Sequence, residues 1–334
     1  TDLKQCVLLC WWYKIPYLHL HFTDDQSFTL PIRSFPKLAS KLRHYSEQDI
    51  NELNQFAQSY GITIIPEIDL PGHSRSMIKA YPHLFGVQPF KFWRPQSNAI
   101  NFGKEEVYHA LETIIKEACA MFPHSPYFHL GADEVNFKEL EKDPDMKAYR
   151  AKIDIPNNKE LYRHFIVQMN KVVSACGKQM CVWEGFGPEG QVPIPKEIPV
   201  FVFESLYNTA DRLIADGYQV INTSWKPIYI TPNKSWTPEE IYQWTPYRWE
   251  NWYERSLAYK KPIEISNTPL LLGAQMCSWE QAAEMEIPSL RHRLPAFIEK
   301  TWNPDTETKF IEFQDKLSLQ DKKFEKMLQL ASGF

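Results

Sequence analysis

Three short stretches of the chain place acids and histidines just after apolar runs: HLHFTDDQ (19–26), IPEIDLPGH (65–73) and FHLGADEV (128–135). They supply Asp24 and Asp25, then Glu67, Asp69 and His73, then Asp133 and Glu134. One acid after a strand is usually a helix cap or a surface charge. Three successive strand ends delivering acids into one small opening call for a different account. Carboxylates crowded together raise one another's pKa, which keeps a general acid protonated near neutrality. Asp133 and Glu134 are an adjacent pair among these candidate catalytic acids. Neighbouring residues on a strand point to opposite faces, so the chain must leave strand geometry there for both to serve one opening.

The elements that must position these residues are legible as short apolar runs alternating with helical patterns. Strands are predicted at 17–22, 62–68, 127–131, 179–183, 200–203, 219–223 and 270–277. Continuous apolar runs, rather than strict alternation, suit strands buried on both faces of a parallel sheet. One helix begins at Ser46, with Asp49 in a capping-box-like position, carries Ile50, Leu53 and Ala57 on one face and stops at Gly61. A second runs from about Glu105, with Val107, Leu111, Ile114 and Ala118 on a stripe, until Pro123. A third places Leu161, Phe165 and Val172 together and ends at Gly177. Repeated strand–helix units without a break in composition predict the α/β class, a TIM (β/α)8 barrel over residues 1–304. The chain opens with a helical pattern over 2–13, so the first barrel strand is expected to be absent from this sequence. A Trp-rich insertion at about 231–262, holding Trp236, Trp244, Trp249 and Trp252, is either a binding element or local packing. The charged residues 305–334 are expected to form a helical tail packed on the barrel.

Bulk properties exclude several classes. A chain of 334 residues with a formal charge of -4 and no basic run does not suit nucleic acid. No apolar stretch is long enough to span a bilayer. The six cysteines form no CxxC pair and read as small buried hydrophobes. No HxxxH or clustered His/Cys spacing supplies a metal site, and no cofactor is expected. The 11 Trp, 16 Tyr and 20 Phe suit a site that stacks on sugar rings, or equally a large core.

HLHFTDDQ, IPEIDLPGH, FHLGADEV, VWEGF (182–186) and GAQMCSWEQ (273–281) occur in one order. In that order, and in the HxGxDE element above all, the chain resembles glycoside hydrolase family 20, the β-N-acetylhexosaminidases, from its first helix to about Asn303. The resemblance implies a retaining exo-glycosidase that releases terminal β-linked N-acetylglucosamine from glycans without a cofactor. It implies catalysis assisted by the substrate, whose 2-acetamido oxygen attacks C1 to give an oxazolinium ion. By residue matching, Glu134 moves the proton and Asp133 receives the acetamido N–H. Tyr229 holds the acetamido oxygen, and Asp24 (preferred over Asp25) and His73 form a relay behind Glu134. His73 could instead be structural. Trp183 and Trp279 match walls of the sugar pocket, and His129, in the matched HxGxDE element, is expected to contact the sugar, as are Gln281 and Glu204. Export to a secreted, periplasmic or lysosomal location is likewise implied, and the oligomeric state is left open. A lacto-N-biosidase, a chitobiase or an inactive carbohydrate-binding barrel are the competing readings.

The match is imperfect. A third pocket tryptophan is replaced by Phe203 and Glu204, and two acids of the pattern are Thr231 and Gln281. With Lys226 nearby, these changes lead us to expect an anionic group such as a 6-O-sulfate on the sugar. Lys226 would supply the charge and Trp225 a wall. The plain alternative is that Lys226 points to solvent.

Overall fold

A computed structural model describes residues 2–88 and 97–331. Its strands are β1 (Tyr17–His21), β2 (Thr63–Glu67), β3 (Tyr127–His129), β4 (Gln179–Trp183), β5 (Val200–Val202), β6 (Val220–Asn222), β7 (Tyr229–Ile230), β8 (Arg248–Trp249), β9 (Ile263–Glu264), β10 (Leu271–Ala274) and β11 (Cys277–Ser278). The chain divides into two compact units. One comprises His19–Asn54 and Ile64–Val200, and the other comprises residues up to Leu18, Gln55–Thr63 and residues from Phe201 on.

In the first unit the strands lie in the order β1-β2-β3-β4. β2 pairs β3 in parallel through Glu67 and His129, and β3 pairs β4 in parallel from Tyr127–Gln179 to His129–Cys181. Parallel neighbours need a crossover, and helices supply it. The helix Glu105–Met121 buries Val107, Leu111, Ile114 and Ala118 as the stripe predicts. The helix Asn158–Ala175 is capped by Asn157, whose side chain accepts from Glu160 N–H. It buries Leu161, Phe165 and Val173. Val173 is buried where Val172 is expected, and Val172 is half-buried, because the buried face is wide and also takes in Tyr162, Ile166 and Met169. The helix Glu47–Ser59 begins at a reciprocal cap, Ser46 N–H to Asp49 Oδ2 at 2.7 Å and Asp49 N–H to Ser46 Oγ at 3.1 Å.

In the other unit, Thr223 N–H donates to Val202 O at 3.1 Å, and β6 pairs β10 in parallel. The single strand expected over 270–277 is two. β10 stays with β6, while Cys277 and Ser278 pair with Tyr229 and Ile230 of β7. Gln275 interrupts the apolar run at the point where the partners change, between the last residue of β10 and the first of β11. The Trp-rich insertion carries β8, which pairs in antiparallel fashion with β9 just beyond it. The helix Phe310–Ala331 drives Phe324, fully buried, into a core cluster with Leu9, Tyr13, Leu294 and Phe297. Its ring stacks on Trp12 at 4.9 Å and 23°.

Candidate active site

The first unit gathers four of the predicted catalytic residues. β1 ends at His21, and the following turn is closed by Asp24 N–H donating to Ser27 O at 2.9 Å. Asp24 faces His73, with Oδ1 3.0 Å from Nδ1, while Asp25 turns away to Arg75 at 2.6 Å. His73 holds a left-handed backbone at φ 46°. Its Nε2 lies 3.4 Å from Glu134 Oε2 and 3.6 Å from Asp133 Oδ2. Asp24, His73, Asp133 and Glu134 are thus brought together.

The loop after β3 explains how two adjacent acids reach one place. The strand stops at His129, and Gly131, Ala132 and Glu134 take left-handed φ values of 75°, 75° and 49°. These residues leave the strand alternation that would separate the two side chains. Non-glycine residues there cost about 1–3 kcal/mol each, so the surroundings must hold them. Ala132 O accepts the Tyr162 hydroxyl, and Ala132 N–H donates to Asp69 Oδ1 at 3.2 Å. Gly185 approaches so closely that an added Cβ would sit 1.9 Å from Ala132 O. Asn98 Nδ2 donates to Glu134 O at 2.9 Å.

Burial and charge set the protonation states. Burial raises the Asp133 carboxyl to about 6, helped by the Glu67 and Glu134 charges and opposed by His73 and by a hydrogen bond from Asp69. Asp69, fully enclosed beside Asp133, is held well above the carboxylate range by burial and by the Asp133 and Glu67 charges. Burial works against an ionised Asp24, but hydrogen bonds from His21, His73 and Asp25 N–H hold it well below the usual range. Burial likewise opposes a charged His73, and its carboxylate neighbours Asp24 and Glu134 override that.

Behind these residues lies a cluster that residue matching missed. Glu67, completely buried, has Oε2 3.0 Å from both His19 Nε2 and His21 Nδ1. Its Oε1 accepts the Trp183 indole N–H at 2.7 Å and lies 3.4 Å from His129 Nδ1. His19 stacks on Trp183 at 5.5 Å and 21°. Trp183, expected to wall a sugar pocket, is only 3% exposed and anchors this carboxylate. His129 is corrected from a sugar contact to an interior residue. It is fully buried and accepts Gly131 N–H on Nδ1 at 3.1 Å, and burial lowers it to about 4. The signal for this cluster was the His19-x-His21 spacing, which puts both rings on one face of β1. Three groups here are compact enough to hold an ion: His19–Glu67–His129, His21–Glu67–Asp69 and Asp69–His73–Asp133. Sequence spacing does not reveal such groups because their members come from different strands.

The second unit carries its own aromatic cluster. Tyr229 lies 5.8 Å from Trp225, 6.1 Å from Trp279 and 6.4 Å from Phe203, ring to ring. Trp225 stacks on Trp252 at 4.9 Å and 29°. The insertion is therefore divided. Trp252 and Trp236 join the cluster, with Trp236 Nε1 donating to Tyr229 O at 3.1 Å. Trp244 and Trp249 are buried, and the Trp249 indole donates to Val202 O. Gln281 Nε2 lies 3.4 Å from Trp279 O. Glu204, expected at the sugar, is 3% exposed, and its carbonyl accepts from Asn251 and Ser256. Lys226 does not stand as a free charge: its Nζ pairs with Glu250 at 3.0 Å, and Arg248 shares that carboxylate at 2.6 Å.

The sequence profile of the glycosyl hydrolase family 20 catalytic domain matches residues 1–305. A β-hexosaminidase of Vibrio furnissii is 29% identical over 301 residues, which are 80% of this chain and 48% of that protein. The β-hexosaminidase β subunit of Rattus norvegicus is 26% identical over 302 residues, 87% of this chain and 53% of that one. The chain thus spans about half the length of the curated relatives it matches. Among solved structures, a Bacteroides fragilis β-N-acetylhexosaminidase superposes with a TM-score of 0.81 at 23% identity, covering 97% of this chain and 68% of that one. An exo-β-N-acetylglucosaminidase of Vibrio harveyi, crystallised with N-acetylglucosamine, gives 0.80 at 24%, covering 97% and 55%. These likenesses establish the (β/α)8 fold class.

Proposed function

Since the chain belongs to glycosyl hydrolase family 20, we propose that it is a retaining exo-β-N-acetylhexosaminidase acting by substrate assistance. The observation that carries this reading is the left-handed loop that sets both Asp133 and Glu134 within 3.6 Å of one His73 nitrogen. The relatives named as β-hexosaminidases support it. The acetamido oxygen of the bound sugar attacks C1 as the glycosidic C–O bond breaks. Glu134 gives its proton to the departing oxygen, and Asp133, as an anion, accepts the acetamido N–H and steadies the positive charge on the oxazolinium ring. Glu134, now a carboxylate, takes a proton from the water that opens the ring, so configuration at C1 is retained. Tyr229 keeps the role implied by the family pattern, holding the acetamido oxygen for attack.

The substrate we propose is a terminal, unsulfated β-N-acetylhexosamine on a glycan. A preference for 6-O-sulfated sugar needs a free positive charge, and Glu250 counters the one on Lys226. No helix among the described residues is long and apolar enough to cross a membrane. Export follows from the family resemblance alone. Glu134→Gln tests the reading: turnover of natural glycans should vanish while binding of the sugar persists. Unchanged hydrolysis would overturn the assignment. The same panel of glycans, with and without sulfate, scores the released sugar. A disaccharide product would replace the reading with a lacto-N-biosidase, and a clear preference for the sulfated sugar would restore the role of Lys226.

A further inference from the structure

The buried cluster and the acid pair are not separate. His21 connects them, with Nδ1 3.0 Å from Glu67 Oε2 and Nε2 3.6 Å from Asp24 Oδ2. Asp24 in turn faces His73 at 3.0 Å, and His73 faces Glu134 at 3.4 Å. Three carboxylates and two imidazoles therefore alternate in one line: Glu67, His21, Asp24, His73, Glu134. The groups facing this line are His19, Asp69, His129 and Asp133. We propose that His21 is a positioning residue for the proton-transferring Glu134: it bridges the enclosed Glu67 and Asp24, and so fixes the Asp24–His73 pair behind the acid. This rests on the hexosaminidase reading above.

Geometry carries the argument. Both ring nitrogens of His21 face carboxylates, which only the doubly protonated imidazole can satisfy with two N–H groups. Burial disfavours that charged form, yet the Glu67 charge and the hydrogen bond to Asp24 hold His21 well above its ordinary value. Asp24 is hydrogen-bonded at Oδ1 by His73 and Asp25 N–H, and the His21 ring stands 3.6 Å from its Oδ2 as a facing charge. That charge favours the orientation in which Oδ1 meets His73, whose other nitrogen faces Glu134 at 3.4 Å. His19 is the natural comparison, since it touches the same Glu67 oxygen.

The test compares two aryl β-N-acetylglucosaminides, a dinitrophenyl glycoside whose phenolate departs without a proton and a methoxyphenyl glycoside that needs one. His21→Phe should lower kcat/KM about tenfold on the methoxyphenyl substrate, a part of what a general acid supplies, and change the dinitrophenyl value less than about twofold. Glu67→Gln, nearly isosteric and still able to accept the Trp183 indole, should show the same selective loss and serves if His21→Phe does not fold. His21→Gln, which keeps a donor toward Asp24, should recover part of the lost rate. His19→Phe should move both substrates by one common factor. Equal losses on both substrates in His21→Phe and Glu67→Gln, no loss in either, or a selective loss in His19→Phe would overturn the proposal. Wild-type protein that cleaves neither glycoside would instead overturn the hexosaminidase reading itself.

Discussion

Gly131→Ala should be the most damaging one-methyl change in the acid-bearing loop, for two separable reasons. Its φ of 75° costs any other residue about 1–2 kcal/mol. The added Cβ would also lie 1.9 Å from Asp69 Oδ1, 2.3 Å from its Cγ and 2.7 Å from its Cα. A side chain can rotate away, but a Cα cannot. Restoring a carbon–carbon contact of about 3.5 Å needs the two backbones to part by roughly 1 Å, and such overpacking adds about 1–3 kcal/mol. Gly61→Ala is the control, because Gly61 has nearly the same φ of 70° and nothing within 4 Å of the added atom. For a chain of this size, with about 2 °C per kcal/mol, Gly61→Ala should lower Tm by about 3 °C and Gly131→Ala by about 7 °C. Because the displaced loop carries Asp133 and Glu134, Gly131→Ala should also lose about 100-fold in kcat/KM, and Gly61→Ala should not. Thermal unfolding followed by circular dichroism, with kinetics on the same preparations, measures both. Equal Tm losses, or wild-type kinetics in Gly131→Ala, would refute the claim that Asp69 and Gly131 are locked together.

Three further expectations concern the same site. Asp133 must be anionic to accept the acetamido N–H, so kcat/KM should fall as pH drops through about 6, and a profile flat across that region would refute this. Stability has the opposite sign: the folded value lies above the ordinary 3.8, so this group's stabilisation is complete below 3.8 and is lost as pH rises through about 6. Trp183→Phe removes the indole N–H from a buried oxygen of Glu67 and should cost about 1–3 kcal/mol. An unshifted urea midpoint in that variant would show that the bond adds nothing.

The positions of the strands were legible because buried parallel strands write themselves as apolar runs, as at 179–183, where expectation and β4 coincide. Their ends were less so. The runs at 127–131 and 219–223 are longer than the strands β3 and β6, and in the first Leu130 and Gly131 continue the apolar run while the chain turns into the loop. The acids at those ends were visible, since charge after an apolar run is conspicuous. Which of them meet was not. Asp24 and Asp25 look alike in sequence, and only the approach of His73 to one and Arg75 to the other separates them. The inward turn of His129, the burial of Glu204 and the pairing of Lys226 with Glu250 depend on neighbours distant in the chain. Trp236 and Trp244, eight residues apart in one insertion, have different environments for the same reason.

The enclosed Glu67 ties residues from four consecutive strands to one carboxylate: His19 and His21 on β1, Glu67 itself on β2, His129 on β3 and Trp183 on β4. In mutational terms these five positions form one epistatic block. Removing His19, His21 or Trp183 leaves the buried Glu67 short of a partner, and removing His129 strands Gly131 N–H, which its Nδ1 accepts. The effect of a change at one of these positions therefore depends on what stands at the other four.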